Sequence, residues 1–260
     1  MKLLSYGSNS SGNCYLLHNN GLNLGFDIGK NPFTTQKSKL AWTFLKYLFI
    51  SHEHTDHTEF LVTFLKNNYN AKIFINKKCY EVLVIRDKSG WVRSHIWRFI
   101  FISDYDNTWE DENIQVRAFK VNHNSMANNG YVIKFRKTQE KVAFFTDCGS
   151  LNYITTNSDI FNNCKVLLME LNHIPNSFPK TIKEEIQFSN FGHFSKAQAI
   201  EFLQKVKHKL LPNSKIFLLH ASLSNYNMEK HDNDVAKKFP EFRFQRVEPL
   251  GTHLYDTELD

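Results

Sequence analysis

One stretch of seven residues, Ser51-His52-Glu53-His54-Thr55-Asp56-His57, limits the folds open to this chain more than any other. Four groups able to bind a metal fall within six positions. The stretch directly follows Tyr47–Ile50, an apolar run that reads as a short buried strand. It precedes Thr58–Lys66, where Phe60, Leu61, Phe64 and Leu65 share one helical face. His52 and His54 are two apart at the strand end, where extended backbone lets both imidazoles face one point. Asp56 and His57 follow as the chain enters the helix, so they can address a second point nearby. Imidazole and carboxylate together suit zinc, manganese or iron. The bland alternative is a polar loop with clustered histidines; the H-x-H-x-D-H order directly after a strand weighs against it.

The rest of the chain repeats this strand-then-helix style. Met1–Tyr6, Cys14–Leu17 and Leu22–Ile28 read as strands, with Asn19-Asn20-Gly21 as a hairpin turn. Lys72–Ile75 reads as a strand and Cys79–Arg86 as a helix. Asn113–Val121, Gly130–Phe135, Val142–Thr146, Lys165–Glu170 and Lys215–Leu219 continue the strands. Ser195 can cap a helix to Val206, with Ala197, Ile200, Phe202, Leu203 and Val206 as its apolar positions. Asn225–Lys238 reads as a further helix, and Glu241–Tyr255 has strand-like pieces. Three more metal-binding residues end predicted strands: His123 after Val121, Asp147 after Thr146 and His220 after Leu219. Each alone could be structural; with the first motif they complete what a two-metal site needs. The two strand-rich, helix-flanked halves suggest an α/β chain with sheets packed face to face and helices outside, an αββα arrangement.

Composition sets the outer bounds. At 260 residues and 42% hydrophobic content the chain suits one large domain over residues 1–260, with a sizeable core. No apolar run reaches the length of a membrane span. The first residues turn polar too soon for a secretory segment, so a cytoplasmic protein with no membrane partner is expected. The four cysteines form no C-x-x-C pair, which argues against a thiolate zinc knuckle. Cys148 reads as a small buried thiol in a turn. A net charge of +6 leans toward polyanionic partners.

His52, His54, Asp56, His57, His123, Asp147 and His220 match, in order and context, the motifs of metallo-β-lactamase-fold hydrolases, and the resemblance covers nearly the whole chain. It implies a four-layer αββα sandwich and two divalent metal ions, zinc or manganese. By the same resemblance His52, His54 and His123 hold one metal, Asp56, His57 and His220 hold the other, and Asp147 bridges them. Gly25-Phe26-Asp27-Ile28-Gly29 looks like the family's first motif, whose aspartate supports the metal loop without binding metal.

Further segments narrow the resemblance. Glu170-Leu171-Asn172-His173 and Gly192-His193-Phe194-Ser195 resemble the acidic E-x-N-H and the G-H-L-S segments of the YycJ/WalJ group of nuclease-like proteins. tRNase Z carries similar segments in the same places. Ser8–Tyr15 looks like the N-terminal S-S-G-N-S-Y segment of the YycJ/WalJ group, and Gly130-Tyr131-Val132-Ile133 like its G-Y-V-I region. Leu171, Phe194 and Lys196 depart from the usual Ser, Leu and Asn. There is no exosite arm of the tRNase Z kind and no room for a β-CASP insertion.

The resemblance implies a DNA exonuclease, with a nucleic-acid substrate in which DNA stands ahead of RNA. Two metals suit phosphodiester hydrolysis, with Asp56 at the second metal. The leaving sugar oxygen needs a proton, for which His193, oriented by Glu170, is the candidate. His173 either contacts substrate or buttresses its loop. Lys205–Lys209 and the Lys237, Lys238, Arg243, Arg246 stretch either contact phosphates or form solvated faces. Phe188, Phe191 and Phe194 either stack on bases or fill the core. The competing readings are a small-molecule hydrolase on the same fold (lactone, thioester or cyclic phosphodiester), a non-catalytic binding module and, more remotely, a di-iron oxidoreductase.

Overall fold

A computed structural model describes residues 1–103, 108–150, 152, 154, 158–174, 179–222 and 228–256. The chain divides into two compact units. One takes residues 1–103, 125–127 and 248–260, the other 104–124 and 128–247, counting the described residues of each.

In the first unit the strands are β1 (Lys2–Asn9), β2 (Gly12–Asn19), β3 (Leu22–Phe26), β4 (Tyr47–Phe49), β5 (Lys72–Ile75) and β6 (Phe99–Phe101). β1, β2 and β3 form an antiparallel meander, after which β4, β5 and β6 run parallel to β3. The hairpin at Asn20-Gly21 has both residues at positive φ, 46° and 84°, which matches the right-handed twist of the strands it joins. The parallel strands are buried on both faces, so they read as unbroken apolar runs: Tyr47, Leu48 and Phe49 are all buried. Phe49 stacks on Phe74 at 4.7 Å and on Phe26 at 5.4 Å.

In the second unit the strands are β7 (Thr108–Glu110), β8 (Ile114–Val121), β9 (Asn128–Phe135), β10 (Lys141–Phe145), β11 (Cys164–Glu170), β12 (Lys215–Leu219) and β13 (Arg243–Arg246). Their sheet has the order β13-β12-β11-β10-β9-β8-β7, with β7 to β10 antiparallel and β10 to β13 parallel. Phe145, Phe161, Phe194 and Phe202 pack edge to face in its core, Phe145 lying 5.8 Å from Phe194 and 5.3 Å from Phe202. The chain then returns as β14 (His253–Asp256), which pairs antiparallel with β1 and closes the first sheet in the order β14-β1-β2-β3-β4-β5-β6. Among the described residues no helix is long and apolar enough to cross a membrane.

Several expected elements differ in detail. The helix expected over Thr58–Lys66 is two pieces, Thr55–Thr58 and Leu61–Asn67. The break comes where Phe60 gives its N–H to the Ile28 carbonyl at 3.0 Å and the His57 carbonyl accepts from Ile28 N–H at 2.8 Å. Helix Lys196–Val206 carries the expected Ser195 cap as a full capping box with Gln198, but its buried face is Ala199, Phe202, Leu203 and Val206, with Ala197 exposed. The helix expected from Asn225 is described over Met228–Lys238; residues 225–227 lie outside the described residues. Among the described residues the α-helices Gln36–Thr43, Trp91–Ser94 and Ile182–Phe188 escape the sequence reading. The first buries only Ser38 and Trp42, so no apolar stripe announces it.

The Asp27-Ile28-Gly29 turn after β3 is pressed onto the metal-motif loop. A Cβ on Gly29 would lie 1.6 Å from the Asp56 carbonyl oxygen. Gly29→Ala is therefore expected to cost about 1–3 kcal/mol by overpacking, read as a lower midpoint in urea denaturation.

Candidate metal centre

The first unit gathers Asp27, His52, His54, Asp56 and His57. Asp27 ends β3 with φ 52°, a left-handed conformation that turns its carboxylate toward the loop after β4. Its Oδ1 accepts from Ser51 N–H at 2.8 Å and its Oδ2 from His57 Nδ1 at 2.7 Å, while Ser51 Oγ lies within 3.0 Å of both oxygens. Burial pushes the Asp27 carboxyl up, against the pull of His57. The His52 ring lies 4.5 Å from that of His54 and 4.2 Å from that of His57. Asp27 thus supports the loop as the resemblance implies. Glu53, between the two histidines, is buried away from them. It accepts from Met126 N–H at 2.8 Å and from the Cys79 thiol at 3.1 Å.

The second unit gathers His123, Asp147, Glu170, His193 and His220. Asp147 after β10 and His220 after β12 each have φ 52°. Such backbone is rare for a histidine and needs support. Asn172 gives it, donating Nδ2 to the His220 carbonyl at 2.7 Å while Gln187 holds the Asn172 Oδ1. The loops knit together: Gly149 N–H bonds the Asn122 carbonyl, Asn124 N–H bonds the Phe191 carbonyl, and His123 Nδ1 donates to the Gly192 carbonyl at 2.9 Å. Asp147, Glu170, His193 and His220 each offer a ligand atom, all within 4.8 Å of one another.

Glu170 is the hub of this group. Fully buried, it takes His193 Nδ1 at 2.7 Å and His220 Nδ1 at 3.1 Å on Oε1, and Cys148 N–H at 2.6 Å and Phe194 N–H at 3.0 Å on Oε2. Burial alone would raise its carboxyl, but His193 and His220 outweigh that and hold it down to about 2. With four donors already placed, Glu170 orients its neighbours and has little left for a cation. Burial lowers the His220 imidazole, but Asp147, 2.8 Å from Nδ1, and then Glu170 overcome it and push it up to about 10.

The donor chemistry fits divalent cations. His57 gives its Nδ1–H to Asp27, which leaves the Nε2 lone pair facing Asp56 Oδ2 at 3.4 Å. His123 gives its Nδ1–H to Gly192, which leaves Nε2 facing Asp147 Oδ2 at 3.5 Å. In both places two electron-rich atoms confront each other, an arrangement that a cation between them turns from repulsive to binding. The carboxylate or carbonyl on each Nδ1 is the usual device for orienting a metal-binding histidine.

Other candidate residues now find their places. His173 is buried, its ring stacked on Phe188 at 4.7 Å and its carbonyl bonded to Lys196 N–H, so it buttresses the loop. Burial lowers its imidazole to about 4. Phe194 belongs to the core, Phe188 covers His173, and Phe191 alone of the three is exposed, at 56%. Lys205 pairs with Glu201, and Lys209 with Asp159. Arg246 is tied to Asp232 and to the carbonyls of Leu171, Leu218 and Leu219, so it braces strand ends and is not offered to phosphate. Burial pushes the Cys148 thiol up, and only the residue's backbone N–H serves the site. Asn13, Ser51 and Gln187 were not singled out from sequence; their roles rest on partners distant in the chain or on backbone contacts.

Histidines and carboxylates cluster at strand ends of the two mixed sheets in groups that could hold a metal ion, the pattern of a metal-dependent hydrolase. The profile of the Beta-lactamase superfamily domain matches residues 22–220, and the chain belongs to that family of metal-dependent hydrolases. Solved structures share the fold at low identity. The metallo-β-lactamase fold protein YhfI from Bacillus subtilis aligns over 98% of this chain and 100% of its own, with a TM-score of 0.69 and 12% identity. The short form of human tRNase Z aligns over 100% of both chains, with a TM-score of 0.64 and 15% identity. Zinc-bound PqqB from Methylobacterium extorquens aligns over 98% and 100%, with a TM-score of 0.66 and 11% identity. A search of curated proteins finds no sequence match.

Proposed function

We propose that this protein is a dinuclear metal-dependent phosphodiesterase of the cytoplasm that hydrolyses nucleic acid, as a DNA exonuclease of the YycJ/WalJ type. His52, His54 and His123 would hold one cation, Asp56, His57 and His220 the other, with Asp147 shared, as the resemblance implies. When bound, zinc or manganese ions would activate water and neutralise charge on the scissile phosphate. The observation that carries the reading is the 2.7 Å bond between His193 Nδ1 and buried Glu170. It fixes the tautomer, so that Nε2 of the partly exposed His193 is the atom that can pass a proton to a departing sugar oxygen. An exposed aromatic ring near His193 could take a stacked base. Phe191 stands two residues before His193, exposed, with its backbone pinned by Asn124 and the adjacent Asn190 carbonyl by Asn122.

The test is digestion of end-labelled single- and double-stranded DNA and RNA by zinc- or manganese-loaded protein, with Asp56→Ala as control. Stepwise loss of label from one end of DNA, abolished in the control, is the expected result. Inactivity of the metal-loaded wild type on all four substrates would replace this reading with the small-molecule hydrolase.

A further inference from the structure

The N-terminal segment Ser8–Tyr15 sends one buried side chain to the metal motif. Asn13, at the start of β2, is completely buried. Its Oδ1 accepts from Tyr15 Oη at 3.1 Å, and Tyr15 Oη is itself bonded to Ser8 Oγ at 2.8 Å. The Asn9 carbonyl, which can only accept, fixes which end of the amide carries the hydrogens. Nδ2 then faces three acceptors: the Asn9 carbonyl at 3.1 Å, His57 Nε2 at 3.1 Å and Asp56 Oδ2 at 3.5 Å. The placement is built in by the backbone. Gly29 N–H bonds the Asn13 carbonyl at 2.8 Å, and Gly12 has φ +145°, with a Cβ there 2.5 Å from the Gly29 oxygen. Only glycine lets the turn lie this close to the Asp27–Gly29 loop.

The Asn13 amide nitrogen can only donate, so His57 Nε2 is the acceptor of this pair. The Asn13 amide is therefore the donor. It lies against the two electron-rich atoms between which the second cation would sit. We propose that Asn13 is a placeholder donor for that cation: it satisfies His57 and Asp56 until metal arrives, lowers affinity at this position, and then turns the released hydrogen to an oxygen of the substrate phosphate. The inference rests on the proposed position of the second cation. It adds Asn13 to the residues that touch substrate.

Two variants test it. Asn13→Ala removes the donor. Asn13→Asp also removes it but keeps the oxygen that Tyr15 Oη bonds, so it guards against a packing defect in the alanine variant. Manganese titrated calorimetrically into metal-free protein should bind about 2- to 12-fold more tightly at the weaker of two positions in Asn13→Ala, the worth of one neutral hydrogen bond no longer broken, and more tightly still in Asn13→Asp, whose carboxylate adds an attractive charge beside the cation. KM for bis(p-nitrophenyl) phosphate should rise about tenfold or more, the worth of a donor to a charged oxygen, with kcat changed less. A purely structural Asn13 would instead loosen the site and weaken metal. Weaker or unchanged metal binding in both folded variants, or an unchanged KM, overturns the proposal. A wild type that binds two manganese ions but cuts no nucleic acid would sink the nuclease reading and leave this one standing. A wild type that binds no metal sinks both.

Discussion

Replacing Glu170 by glutamine is expected to remove about 3–5 kcal/mol of folding stability, the usual effect of breaking a buried ionic network by taking one partner away. Measured in chelator, so that metal binding does not enter, this corresponds to a fall in Tm of about 6–20 °C for a chain of this size. The reason is geometric. Two imidazole Nδ1 atoms and two backbone N–H groups converge on the carboxylate. A glutamine amide has the same shape but must aim its NH2 at one pair of those donors. The effect should also carry a pH signature. The Glu170 carboxyl is held down to about 2 from an ordinary value of 4.5. A carboxyl depressed on folding contributes stability that is complete above its unfolded value and fades as pH falls toward its folded one. The gap between wild type and variant in urea denaturation should therefore be full above pH 4.5 and narrow between 4.5 and 2. A constant gap across that range would mean that packing, and not charge, is what Glu170 supplies.

Glu170 also shows what a sequence reveals and what it hides. The candidate metal ligands stand out because parallel strands buried on both faces are continuous apolar runs, and polar residues at their ends break the pattern: His52 after β4, Asp147 after β10 and His220 after β12. The supporting residues carry no such pattern. Asn13 meets Asp56 from 43 positions away, and Asn172 meets the His220 carbonyl from 48. β9 begins at Asn128, two residues before the expected Gly130, because Asn128 is polar yet buried, its amide bonded to the Thr146 and Asp147 carbonyls. Helix Ile182–Phe188 exposes Ile182 and Ile186, so it has no stripe to betray it. Where burial follows the period of a strand or helix, residue type discloses structure. Where a polar side chain is buried to serve another residue's backbone, only the folded chain shows why it is there.

His193→Ala should lower kcat on DNA by about 10²- to 10⁴-fold, the range for loss of a general acid. The side chain is the most exposed member of its group, 21% against 0–3% for Asp147, Glu170 and His220. It can therefore meet substrate while its Nδ1 stays on Glu170. What distinguishes an acid from a metal ligand is the leaving group. A deoxyribose oxygen leaves poorly unless protonated, whereas p-nitrophenolate leaves unaided. Bis(p-nitrophenyl) phosphate should therefore lose far less rate than DNA in the variant, and the bound metal should remain at the wild-type level. If His193 were instead a ligand, within the cluster it forms with Asp147 and His220, metal content would fall and both substrates would lose rate together. The ratio of the two losses, measured alongside metal content, decides between these roles because only protonation of the leaving oxygen depends on which substrate is cut.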